Sequence, residues 1–203
     1  GCKTSFTGTP VRSDFFLKQP LPSWAPQGEG VLIVVMGGSQ GATKMNEMVR
    51  NILPWLLEKG CRVVHLTGKN DRFYKNPDKV QNHPNLVIRH FSNEIAALLN
   101  NSDLAISRAG AGAICELMAT KTPSILIPFP QSTDAHQEVN ASYMASFGGA
   151  VIVNQHNPDE DILKNTISKL LSSNSLFKMK SNMNIHYFLN PEKRIFEIIN
   201  KIS

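Results

Sequence analysis

The sequence predicts a Rossmann-like α/β fold: a parallel sheet with helices on both faces. Three observations carry this expectation. From residue 31 onward, apolar runs of strand length take turns with stretches of helical periodicity. The first run, Val31-Leu32-Ile33-Val34-Val35-Met36, is apolar throughout, as a strand buried on both faces must be. It leads straight into Gly37-Gly38-Ser39-Gln40-Gly41-Ala42, a glycine turn that opens a helix and lets backbone N–H groups approach a bound oxygen closely.

Pro20, Pro22, Pro26 and Gly28 mark residues 20–30 as an irregular connection, and residues 1–12 belong to no β-α unit. The alternation then predicts a strand over 31–36, a helix near 44–58 and a strand over 62–67. After a polar stretch come a strand over 86–90, a helix over 93–100, a strand over 104–107 and a helix over 113–120. A strand over 124–127, a helix over 137–146 and a strand over 150–153 follow, with helices opening at Pro158 and Pro191. The last carries Ile195, Phe196, Ile198, Ile199 and Ile202 at helical spacing, more apolar surface than a terminal helix needs. Ligands of open α/β sheets bind beyond the carboxyl ends of the strands. The loops 37–41, 91–93, 107–112 and 128–137 are expected to converge there on one crevice.

Bulk properties narrow the function. The 203 residues, 41% of them apolar, suffice for a sizeable core without staples. Cys2, Cys61 and Cys115 are odd in number and far apart, which encourages neither disulfides nor zinc and fits a reducing cytoplasm. No run of eighteen apolar residues predicts a spanning helix, and no leader pattern opens the chain. The charge of +5 is scattered, without the basic and aromatic interleaving of a nucleic-acid groove, so nucleic acid is not expected as a partner. It suits an anionic substrate or lipid surface, or simply a solvated exterior.

Several constellations admit more than one reading. Gly37-Gly38-Ser39-Gln40-Gly41 fits a phosphate cradle, a nucleophile elbow with Ser39 as a serine hydrolase's nucleophile, or a turn that only packs helix on sheet. Ser107-Arg108-Ala109-Gly110-Ala111-Gly112-Ala113-Ile114-Cys115-Glu116 again joins strand to helix, but Cys115 stands where a dinucleotide fingerprint has its third glycine. Glu116, about one turn into that helix, is either a helix-dipole partner or an acceptor for vicinal hydroxyls. In the loop 128–140, Gln137 and Asn140 share a helix face and offer amides that both donate and accept, as sugar hydroxyls require; alternatively Asp134 caps the helix and the rest is solvated. Asp159-Glu160-Asp161 reads as helix-start acidity after Pro158. Gly68-Lys69-Asn70 lacks the remainder of a P-loop, and the six histidines show no ligand spacing, so neither a protein-held metal nor another cofactor is expected.

In order and spacing, Gly8-Thr9-Pro10-Val11-Arg12, Gly37 to Ala42, Ser107 to Gly112 with Glu116, and Pro128-Phe129-Pro130 through His136, Gln137 and Asn140 resemble the C-terminal half of the MurG family. These are bacterial transferases that add N-acetylglucosamine to a lipid-linked muramyl-pentapeptide, the lipid I to lipid II step of peptidoglycan synthesis. The resemblance implies a GT-B glycosyltransferase, with residues 1–30 as interdomain connection and first motif and 31–190 as the UDP-sugar domain. Residues 191–203 would form a helix packing toward an absent N-terminal half. It implies that Arg12 and Ser39 meet the donor diphosphate, with Gly38 and Gln40 also binding substrate, and that the backbone around Phe91 and Ser92 meets the uracil. Gly110, Ala111, Gly112 and Ala113 would line the nucleotide, Glu116 would hold the ribose, and Gln137, with His136 and Asn140, the sugar. The catalytic base, the lipid acceptor and an inverting displacement would involve the other half, on the cytoplasmic face of the inner membrane, where such enzymes sit peripherally. Thr9 stands where the family usually has Asn, and Ala113 where Thr is frequent. A stand-alone donor-binding subunit of a two-subunit N-acetylglucosaminyltransferase is the alternative.

Overall fold

The computed structural model describes residues 4–5, 7–38, 42–71, 80, 82–130, 135–155, 160–183 and 191–202. The strands are β1 (Leu32–Met36), β2 (Arg62–Leu66), β3 (Leu86–Arg89), β4 (Leu104–Ser107), β5 (Ser124–Leu126) and β6 (Ala150–Ile152). All pair in parallel, in the order β3-β2-β1-β4-β5-β6. The helices are α1 (Thr43–Glu58), α2 (Ile95–Asn101), α3 (Ala111–Thr120), α4 (His136–Ser146), α5 (Glu160–Leu171), α6 (Ser175–Asn182) and α7 (Pro191–Ile202). This is the predicted Rossmann-like sheet. The order reverses at β1, so the crevice between the turns after β1 and β4 is where such a sheet takes its ligand.

Strand side chains alternate between two buried layers, which is why the run at 31–36 has no polar position. Ile33 and Val35 pack with α1, α5 and α6, whereas Leu32, Val34 and Met36 pack with α2, α3 and α4. Leu104 and Ile106 of β4 join the first layer and Ala105 the second.

The structure adds two elements. The segment ahead of β1 is irregular, as expected, yet belongs to the core. A 3-10 turn at Ser13–Phe16 buries Phe15 to 1% exposure, with Val11 and Ala25 beside it, in the layer of α2 and α3. Trp24 Nε1 donates to Glu94 Oε2 at 2.6 Å, and the Arg89 guanidinium lies 3.7 Å from the Trp24 ring centroid, which pins the connection beside β3. The second addition is α6: the stretch opening at Pro158 is two helices, parted at Ser172–Asn174 where polar side chains compete for the backbone. Pro158 and Asp159 themselves lie outside the described residues.

Between α1 and the end of β2 is a buried polar network. Arg50 Nη1 and Nη2 donate to the two carboxylate oxygens of Asp71 at 2.6 and 3.2 Å, and Asn46 Nδ2 donates to Thr67 O and Asp71 Oδ2. His65 Nε2 lies 3.1 Å from Asn46 Oδ1, and its Nδ1 is buried with no partner among the described residues. With the amide oriented as described, Nε2 carries the proton and donates. Burial above all, then the charge of Arg50, hold the His65 pKa down to about 3, against the opposing pull of Asp71. The unfolded chain therefore takes up a proton below about pH 6.5 that the folded chain refuses down to about pH 3. Stability is expected to fall on acidification across that window, by up to about 1.4 kcal/mol per pH unit from this group. Urea unfolding at pH 7 and pH 5 checks this. His65→Gln, which keeps an N–H donor for Asn46 and cannot titrate, should flatten the decline, and equal declines in both proteins would clear His65 of it.

Candidate functional site

At the carboxyl edge of the sheet the turns after β1, β3, β4 and β5 enclose a cleft of about 1300 Å³. It brings together Arg12, Gly38, Phe91 and Ser92 from the first half of the chain with Gly110, Gly112, Ala113, Glu116 and Gln137 from the second. Ala111, His136 and Asn140 are not in its wall. Ser39 and Gln40 lie outside the described residues, as does Asp134.

The glycines serve two purposes. A Cβ on Gly37 would come within 2.8 Å of the Ala42 Cβ and 3.1 Å of its N, so the turn that starts α1 closes only on glycine. Gly38 has φ of 84°, in the left-handed region. Gly110 and Gly112 answer no such local need: neither φ is positive, and a Cβ on either would meet nothing within 4 Å. Both line the cleft, so what their missing side chains preserve is open space beside the first turn of α3, whose N–H groups have no helical partners.

Helix α3 starts at Ala111, which puts Glu116 in its second turn, deeper than the sequence suggests and beyond the reach of a first-turn dipole role. Burial raises the Glu116 pKa above its ordinary 4.5; nearby Arg12 favours the charged form and Asp14 opposes it. The motif around Arg12 thus rests against α3: Thr9 lies near enough to the Cys115 thiol to favour its ionised form, and Arg12 lies close enough for its charge to be felt at Glu116. The Arg12 guanidinium sits 5.2 Å from the Phe15 ring centroid and 3.6 Å from Asp14 Oδ2, and remains 60% exposed. It is tethered from below and open above.

Phe91 stands 55% exposed at the cleft, an apolar ring free to stack. Ser92 Oγ accepts from Glu94 N at 3.0 Å, so its hydroxyl shapes the entry to α2. Gln137 Oε1 accepts from Phe129 N at 3.0 Å, which leaves the two Nε2 hydrogens uncommitted among the described residues. Asn140 donates to Ala109 O at 3.0 Å and thereby holds the loop before α3. Gln137 and Asn140 do share a face, but the second amide is used on backbone. His136, one residue from Gln137, is turned about 100° around the helix axis and is exposed.

Sequence reasoning passed over Arg108. Its Nη1 donates to Ile127 O at 2.9 Å and Pro128 O at 3.1 Å, clamping the loop after β5. The guanidinium is 5.5 Å from the Phe129 ring centroid. Burial lowers its pKa to about 10, so at neutral pH it is a charged group in the cleft wall. The available signal was a cation at the carboxyl end of a buried strand, where a solvated role is excluded.

Among the described residues no three His, Cys, Asp or Glu side chains gather as a metal site, and no helix is long and apolar enough to cross a membrane. Asp161 at the start of α5 lies 4.0 Å from Lys164, an ordinary helix-surface pair. With its glycine turns, the cations Arg12, Lys44 and Arg108 and an open aromatic ring, the cleft can hold an extended anionic ligand that carries a ring at one end and hydroxyls along its length.

A family model described as the glycosyltransferase family 28 C-terminal domain matches residues 32–196. A protein of Prochlorococcus marinus (strain NATL2A) named UDP-N-acetylglucosamine–N-acetylmuramyl-(pentapeptide) pyrophosphoryl-undecaprenol N-acetylglucosamine transferase is 74% identical over 202 residues, 100% of this chain and 57% of that protein. One of the same name from Synechococcus sp. (strain CC9605) is 58% identical over 85% of this chain and 47% of its own length. The crystal structure of Acinetobacter baumannii MurG superposes with a TM-score of 0.76 at 26% identity, covering 86% of this chain and 51% of that one. The chain spans about half the length of the curated relatives it matches.

Proposed function

The chain belongs to the family of glycosyltransferase family 28 C-terminal domains, and from that premise we propose that it is the UDP-N-acetylglucosamine-binding half of a transferase of peptidoglycan synthesis. In this reading the transferase passes N-acetylglucosamine to a lipid-linked muramyl-pentapeptide, lipid I to lipid II. The observation that carries the reading is the meeting in one cleft of two turns that open helices, Arg12, and the half-buried carboxylate of Glu116.

Each group has a matching task. The uracil stacks on Phe91, and Glu116 accepts from the ribose hydroxyls. The diphosphate lies between the N-termini of α1 and α3, where Gly38, Gly110 and Gly112 leave room for it. Ser39 and Gln40 belong to the same turn, and Ala111 and Ala113 line α3 alongside. Gln137 offers its Nε2 hydrogens to the sugar, with His136 and Asn140 behind it. As the glycosidic bond breaks, negative charge grows on the departing diphosphate, and two helix N-termini with Arg12 stabilise it where it develops. The displacement is inverting, and the base that deprotonates the acceptor hydroxyl lies on the half not in this chain. Residues 1–30 form the connection to that half, 31–190 the donor domain, and α7 packs toward the partner domain. The whole enzyme works peripherally at the cytoplasmic face of the bacterial inner membrane.

The isolated chain is expected to bind UDP and UDP-N-acetylglucosamine saturably in a calorimetric titration while transferring no sugar to a lipid-linked acceptor. Absence of saturable binding at millimolar ligand would overturn the donor reading. Transfer by the chain alone would overturn the division of labour.

A further inference from the structure

Gln155 lies three residues beyond β6, 6% exposed, in the wall of the same cleft, and its Oε1 is sealed from solvent without a hydrogen-bond partner among the described residues. Native proteins keep few buried acceptors without donors, because each is a standing cost to the folded state. The chain two residues before it is held on the sheet: Val153 N donates to Leu126 O at 2.9 Å and the Val153 side chain is packed in the layer of α1. The terminal torsion of a glutamine is soft, so the amide can turn toward a donor in the cleft without disturbing that backbone.

The order of the sheet says what the donor is. Along the carboxyl edge the cleft residues run from Phe91 after β3, through Gly38 after β1 and Gly110 after β4, to Phe129 after β5 and Gln155 after β6. Strands are about 4.8 Å apart, so the ends of β3 and β6 are roughly 24 Å apart and those of β4 and β6 roughly 10 Å. With the base at Phe91 and the diphosphate at the turns after β1 and β4, the end of the ligand nearest Gln155 is the sugar. Ionised phosphates have no hydrogen to give, whereas sugar hydroxyls and an acetamido N–H do.

We propose that Gln155 is a sugar-binding residue of the donor site, its Oε1 accepting a hydrogen bond from a hydroxyl or the acetamido N–H of the N-acetylhexosamine. This rests on the donor reading above. The test is calorimetric titration of the chain and of Gln155→Met, which keeps the unbranched volume, with UDP, UDP-glucose and UDP-N-acetylglucosamine, alongside thermal unfolding without ligand. The substitution should leave UDP affinity within twofold, weaken UDP-N-acetylglucosamine about tenfold, and leave Tm unchanged or higher, since an unpaired buried acceptor has been removed. Equal weakening of UDP-glucose identifies a hydroxyl as the donor; unchanged UDP-glucose identifies the acetamido group. An unchanged affinity for UDP-N-acetylglucosamine, equal losses for it and UDP, or a lowered Tm would overturn the proposal. Failure of the unsubstituted chain to bind UDP would overturn it together with the donor reading, and is seen before any substitution is made.

Discussion

Replacing Asp71 by alanine is expected to destabilise the fold by about 3–5 kcal/mol, because it strands the guanidinium of Arg50 in the interior. The side chains are 7% and 0% exposed, and the contact is bidentate at 2.6 and 3.2 Å, so no water can take over the lost partner without opening the packing of α1 on β2. Asn46 would lose one acceptor in the same step, and with it part of the order that orients His65. Exchanging both members for apolar residues of similar volume, Arg50→Met with Asp71→Leu, should recover most of the loss, since neither buried charge then remains. Guanidinium unfolding of the two single variants and the double variant forms the cycle that measures the coupling. A cost below about 1 kcal/mol for Asp71→Ala would show that the pair does not hold the turn after β2.

How much of this molecule could be read from its residues follows from which forces are local. The parallel sheet was legible because a strand buried on both faces must be apolar at every position, and β1 is; β4 falls on its expected bounds, the other strands are each one residue shorter than expected, and α3 begins at Ala111 where 113 was expected. The site was legible where a turn leaves a chemical trace: glycines at 37, 38, 110 and 112, and a carboxylate at 116 following them. Motif order extended this to a family, and the resemblance to the MurG family agrees with the family match over residues 32–196. Ser39, read as nucleophile or phosphate contact, lies outside the described residues. What stayed hidden depends on tertiary partners. Phe15 reads as one apolar residue in an irregular tail, and only the assembled α2 and α3 make it core. Asn140 shares a helix face with Gln137, but periodicity cannot say that Ala109 O is waiting for its amide. Gln155 carries no motif at all: its significance lies in a missing partner, which no sequence displays.

The second large effect concerns ligand binding. Glu116→Ala is expected to weaken binding of UDP-N-acetylglucosamine by about 1.5–3 kcal/mol, the range for losing hydrogen bonds to a charged acceptor. The acidity of the group gives a sharper test than its deletion. Burial raises its pKa above 4.5, so in the free chain it takes up a proton at milder acidity than an exposed glutamate, and Arg12 only partly offsets this. A protonated carboxyl can no longer accept from two vicinal hydroxyls with both oxygens. Binding therefore favours the ionised form, and affinity should fall as the pH is lowered below neutral. The diphosphate of the nucleotide sugar is esterified at both ends and does not titrate in that interval, so the slope belongs to the protein. Glu116→Gln removes the charge while preserving shape, and should bind more weakly at pH 7 and lose the carboxylate's part of the slope. If Glu116→Gln matched the parent in both affinity and slope, the carboxylate would stand outside the ribose contact, and the raised pKa would reflect nothing more than its burial on α3.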